Sequence, residues 1–134
     1  MYNMEESNTT FFAPQLFINN GVTDISFYAN AFGATENLRF NNDDGSLHVV
    51  ELSINGCIFH LHEITANPYR FSPQKHNGIT TLVGLFVPDV DAVMNNAIKA
   101  GAIEIDPAKD YEYGYRQGTI RDPFGHQWLI QKKI

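Results

Sequence analysis

The chain repeats itself, and the repeat restricts the possible fold more than any single motif does. Leu16-Phe17-Ile18 and Leu85-Phe86-Val87 are short apolar runs, followed by polar or turn residues, Asn19-Asn20 and Pro88-Asp89. A helical pattern comes next in both places. Ile25, Tyr28, Ala29 and Phe32 recur at three- and four-residue steps, and so do Val90, Val93, Ala97 and Ala100. Asp24 and Asp91 stand near the two helix starts, where a carboxylate suits the helix dipole. Each helix stops at a glycine, Gly33 or Gly101, which reads as a left-handed cap. The spacing agrees as well: Leu16 to Gly33 is 17 residues and Leu85 to Gly101 is 16, while Gly33 to Gly56 is 23 and Gly101 to Gly125 is 24. Each half therefore reads as strand, helix, then three strands. The three strands are predicted at 36–41, 47–53 and 57–62, and again at 103–107, 116–121 and 126–132.

A half of roughly 50–60 residues buries too little surface to stand alone. The two are expected to share one core and to leave a cavity between them. The division is a polar tail at 1–9, expected to fray, and one domain at 10–134. That domain contains a first module at 10–63, a linker at 64–78 and a second module at 79–134. The linker carries Pro68 and Pro73 and is longer than the usual connection of about 4–6 residues. It reads either as a lid or interface arm or as a plain tether.

Charge and cysteine usage remove several function classes. The net charge is −6 with nine Lys plus Arg, which speaks against nucleic acid and anionic membranes as partners, since both select clustered positive charge. No apolar run approaches the roughly 20 residues that span a bilayer, and the polar start MYNMEESNTT does not read as a secretory signal. A cytoplasmic protein is expected. The single cysteine, Cys57, excludes an internal disulfide and a thiolate cluster; it begins a strand and reads as a packing residue. No Ser-His-Asp arrangement, phosphate loop or dinucleotide fingerprint is present.

Near the end, Asp122-Pro123-Phe124-Gly125 has turn chemistry: proline fixes φ at the second position and glycine tolerates positive φ at the fourth. The simplest reading is a hairpin turn between the last two strands.

The repeat and the Phe27-Tyr28 pair before Ala31-Phe32-Gly33-Ala34 resemble the vicinal oxygen chelate superfamily. So does the tail Gly114-Tyr115-Arg116-Gln117-Gly118 with Asp122-Pro123-Phe124-Gly125-His126-Gln127-Trp128. That superfamily includes glyoxalase I, extradiol dioxygenases, and bleomycin- and fosfomycin-resistance proteins. The tail is similar to the PhnB-like branch, which shows Trp-Gly-Asp-Arg-x-Gly and then Asp-Pro-Phe-Gly-His-x-Trp. Here Tyr113 replaces the Trp and Tyr115 the Asp, while Gly114, Arg116 and Gly118 are kept. The resemblance spans about residues 12 to 132. It implies an α+β, glyoxalase-like fold in which paired βαβββ modules form a curved mixed sheet around one cleft, and a homodimer. It also implies four metal ligands, on the first and last strands of each module. Those positions fall on Ala13, His60, Leu82 and Leu129. Alanine and leucine have no donor atoms, so no cofactor is expected.

The pair His60-x-His62 points to one face of a strand. With Glu51 on the neighbouring strand it would hold a divalent metal, the alternative to a cofactor-free site; otherwise the two are wall residues of the cleft. Strand phase puts Gln15 and Phe17 on the face of Ala13, Gly84 and Phe86 with Leu82, and Gln127 with Leu129. Such a cleft is apolar and aromatic with a few polar points, as small-molecule pockets are. Tyr69 and Phe71 on the linker are placed to close over it. Arg116 either clamps an anionic group of a ligand or pairs with Asp110, Glu112 or Asp122. Tyr111, Tyr113 and Tyr115 alternate, so their rings should share one face of a strand or extended segment.

Three functions fit this pattern. The first is small-molecule binding without the usual metal, with ligand contacts from Gln15, Phe17, His62, Tyr69, Phe86, Tyr115, Arg116 and Gln127. The second is a lyase or isomerase acting next to a carbonyl, with Glu51 or His60 as the general base. The third is a dimeric structural module without a ligand.

Overall fold

The computed structural model describes residues 8–134; of the expected frayed tail, residues 1–7 lie outside the described residues. The first module runs β1 (Gln15–Ile18), α1 (Phe27–Phe32), β2 (Thr35–Asn41), β3 (Leu47–Ile54) and β4 (Cys57–Glu63). A short helix α2 (Pro73–His76) lies in the linker. The second module runs β5 (Leu82–Phe86), α3 (Val90–Ala100), β6 (Ile103–Tyr111), β7 (Tyr115–Arg121) and β8 (Gln127–Lys133). The repeat is reproduced in the pairing. The strand orders are β1-β4-β3-β2 and β5-β8-β7-β6. In each sheet the first strand lies parallel to the last and the others are antiparallel. The fold is α+β and glyoxalase-like, built as two four-stranded mixed sheets with a few helices.

Both helix ends form as the glycines require. Gly33 and Gly101 take φ of 69° and 118°, and their amides bond back to carbonyls of the last turn. Asp89 caps α3 by accepting from the Ala92 amide at 3.1 Å. The phase of α1 differs from the periodic reading: Phe27, Tyr28 and Ala31 are buried, while Ala29 faces out. Six residues make fewer than two turns, so the entry angle of the chain, not periodicity, sets the buried face.

The helix-covered faces of both sheets meet in one core. Leu16 and Ile18 of β1 and Phe59 and Leu61 of β4 are buried with Ile120 of β7 and Trp128 and Ile130 of β8. Tyr28 is its centre, with ring contacts to Phe27, Phe32, Phe59, Phe124 and Trp128. Because side chains alternate along a strand, each sheet turns its other face away from this core.

Asp122 holds the centre in place. It is 3% exposed. Its Oδ2 accepts from the Tyr28 hydroxyl at 2.6 Å and from Trp128 Nε1 at 3.0 Å, while Oδ1 accepts from the amides of Phe124 and His126. Burial, and then the Asp122 charge, push the Tyr28 phenol well above its ordinary pKa, so it remains a donor. The turn is the expected hairpin, closed by Asp122 N to His126 O at 2.8 Å, and the same Asp ties the first module's helix to the second module's turn.

The linker is a docked tether at its end. Ser72 is fully buried and bonds Asn19; Gln74 accepts from Asn19 at 3.0 Å and donates to the Pro123 carbonyl at 3.0 Å. Gly125 makes this possible: a Cβ there would sit 3.0 Å from Pro73 Cβ, and its φ is +94°.

Candidate functional site

The open face of the first sheet carries five of the predicted site residues in two cross-strand rows. Gln15 pairs His60, His60 pairs Glu51 and Glu51 pairs Leu38, giving one row across β1-β4-β3-β2. Phe17, His62, Val49 and Phe40 give the next. His60 Nε2 stands 3.5 Å from Glu51 Oε1, both partly exposed, and Asn37 donates to Glu51 Oε2 at 3.1 Å. His62 is held differently. Its Nδ1 donates to the Glu63 carbonyl at 2.6 Å, and its ring lies 4.9 Å from His48 and 6.0 Å from Phe17. His60 and His62 thus share a face and have different partners.

The second sheet's open face carries Phe86, Tyr115 and Gln127, with the Phe86 and Tyr115 rings 6.0 Å apart. Gln117 donates to Gln131 at 2.8 Å and accepts from the Tyr113 hydroxyl, so a polar chain crosses this face. Among the described residues, no hydrogen bond or ring contact joins this group to the group on the first sheet. The candidate strand residues of the two sheets therefore sit on two separate open faces.

Three expectations need correction. Arg116 lies on the helix side of β7, where Asp91 at 2.8 Å and Asp110 at 2.9 Å take up its guanidinium and hold it firmly cationic. It does not reach the open face; of the acidic partners foreseen, Asp110 is one, and Asp91 was missed because it comes from α3. The tyrosine run is a hairpin turn and not an extended segment. Gly114 N bonds Tyr111 O at 3.0 Å, and Tyr111–Tyr113 and Tyr113–Tyr115 rings contact at 5.3 and 5.7 Å. Cys57 is exposed, not packed.

Two features escaped the sequence reading. Glu63 gathers His48 Nδ1 at 2.7 Å, Asn20 at 2.8 Å and Asn42 at 3.0 Å at the end of β4. Hydrogen bonds from His48 first, and then Asn20, hold its carboxyl below the usual carboxylate range. A cavity of about 600 Å³ opens between the start of β4 and β5, lined by Phe12, Cys57, Phe59, Val83, Phe86 and Trp128 among others. The exposed pair Phe11-Phe12, two large apolar rings outside any strand, was the available signal.

A second cavity, of about 740 Å³, joins Gln15 and Phe17 to Tyr69, Phe71 and other linker residues and to His126. His126 Nε2 donates to the Phe17 carbonyl at 2.7 Å and so connects the second module's turn to β1.

The four ligand positions that the resemblance implies do not fit a metal. Ala13, Leu82 and Leu129 offer no donor, and His60 has Glu51 as its nearest acidic partner. Nor do His60, His62 and Glu51 form a ligand set: no three His, Cys, Asp or Glu side chains converge suitably among the described residues. No helix among the described residues is long and apolar enough to cross a membrane.

Paired βαβββ modules, helix faces inward and strand faces open, define the class. Within it, the chain belongs to the Glyoxalase/Bleomycin resistance protein/Dioxygenase superfamily, whose sequence profile matches residues 15–130. It is 32% identical over 125 residues to an uncharacterised protein of Mycobacterium tuberculosis, an alignment covering 91% of this chain and 74% of that one. The X-ray structure of an Arabidopsis thaliana gene product superposes with a TM-score of 0.69 at 26% identity, covering 91% of this chain and 98% of that one. TioX from Micromonospora gives 0.65 at 26% identity, covering 93% and 97%.

Proposed function

We propose that this superfamily member binds a small organic molecule, aromatic or amphipathic, without a metal. The observation that carries the reading is the open face of the first sheet. Phe17, Val49 and Phe40 supply apolar surface there, while Gln15, His60 and Glu51 supply a few fixed polar points, the usual composition of a small-molecule site. The tail motif supports placement in the PhnB-like branch. Leu38, Phe40, Leu82 and Phe86 on the two open faces are exposed; a second copy covering them would make the protein a homodimer, and a solution mass of one chain would remove that part of the proposal. The free, exposed Cys57 suits a reducing compartment, and cytoplasmic residence belongs to the same proposal.

Thermal melts against a panel of small aromatic and amphipathic compounds test the reading. At least one compound should raise the melt, since a ligand at 100 times its Kd adds about 2.7 kcal/mol. A panel without any shift counts against it. The contact between His60 and Glu51 supports a second reading, a lyase or isomerase abstracting a proton beside a carbonyl. Bound carbonyl compounds incubated in heavy water would then gain deuterium, and Glu51→Gln would stop the exchange without releasing the compound.

A further inference from the structure

The cavity under the linker has a chemical sign. At about 740 Å³ it falls within the roughly 300–1,000 Å³ typical of small-molecule sites. The chain is acidic, with 15 Asp plus Glu against nine Lys plus Arg, yet no Asp or Glu lines this cavity. Its wall carries Arg70, His76 and His126 instead, together with the rings of Phe17, Tyr69 and Phe71. The Arg70 guanidinium carbon lies 5.8 Å from the centroid of Phe17, a cation–π distance. Arg39 and Arg116 are neutralised by Glu36 and by Asp91 and Asp110. Arg70 has no carboxylate partner among the described residues. The planar fork of its donors is therefore free for an anion from outside, and a carboxylate matches that fork with two parallel hydrogen bonds. Tyr69, which is 88% exposed, and Phe71, whose ring lies 4.1 Å from His76, line the same cavity.

We infer that this cavity takes a planar aromatic carboxylate, with its acid on Arg70 and its ring against Phe17, Tyr69 and Phe71. The inference rests on the reading of the chain as a small-molecule binder and names the ligand class. His126 is already engaged with the Phe17 carbonyl and positions β1 beneath the ring.

Fluorescence titration with naphthalene-2-carboxylate and with naphthalene-2-carboxamide separates charge from shape. The acid should bind at least about tenfold more tightly than the amide, as one charge-assisted contact warrants. Arg70→Gln, a change at an exposed position, should lower the acid to the level of the amide and leave the amide unchanged. Phe17→Leu should weaken both. Equal binding of acid and amide, a preference that survives Arg70→Gln, or binding of neither compound would each overturn the inference. In the last case, the broader reading stands if an uncharged compound of the panel raises the melt. It falls together with the inference only if no compound does.

Discussion

Asp122 shows how far a single residue can be read from sequence. Its place at the head of a Pro-containing, Gly-closed turn was legible, because turn chemistry is local. Its service to Tyr28 was not, because Tyr28 precedes it by 94 positions and nothing local marks a long-range acceptor. The buried carboxylate accepts four bonds, two of them from side chains of the aromatic core. Asp122→Ala strands the Tyr28 hydroxyl and the Trp128 indole N–H, so urea unfolding should show a loss of roughly 2–6 kcal/mol, at about 1–3 kcal/mol for each unsatisfied group. Tyr28→Phe leaves the carboxylate three partners and should cost less, roughly 1–3 kcal/mol. Equal, small losses in both variants would show that the carboxylate does not hold the modules together.

At the level of elements, alternation placed side chains well and lengths less well. The strand phases put Gln15 and Phe17 on one face of β1, and Leu82 and Phe86 on one face of β5, as observed. Strand β6 runs on through Pro107 to Tyr111, beyond the predicted end at 107. It is an edge strand with register shifts between Glu104 and Lys109, where proline is tolerated because no neighbour needs its amide. Helix α2 was hidden in the linker because four residues give no period. The end of β4 makes a pH prediction. Glu63 has a depressed pKa in the folded chain, so its contribution is present above the ordinary glutamate value of 4.5 and is lost as pH falls through the lowered one. Melting temperature should therefore drop on acidification from about pH 5 to pH 3, and Glu63→Gln should drop less over that interval. An identical acid profile in the variant would show that the His48, Asn20 and Asn42 contacts do not stabilise the charge.

For the whole molecule, the repeat carried most of the fold. Two halves with matching signals at matching spacings became two sheets with matching strand order. What the repeat left undetermined was which faces meet. Apolar residues occur on both faces of β1, β4, β5 and β8, and only the aromatic cluster around Tyr28 decides that the helix sides close together. The candidate site inherits that ambiguity. Its residues were legible strand by strand, while their division between two open faces, the ion pair of Arg116 with α3 and the part proposed for Arg70 depend on contacts distant in sequence.

The chain keeps the superfamily's fold, and the central proposal is that it binds its ligand without a metal. The most direct test is the metal content of the protein purified without a metal-affinity tag and dialysed against zinc, nickel, manganese and iron in turn. The account predicts far less than one metal per chain in every case, with no change on substituting His60. Near one metal per chain, lost in His60→Ala, would contradict it.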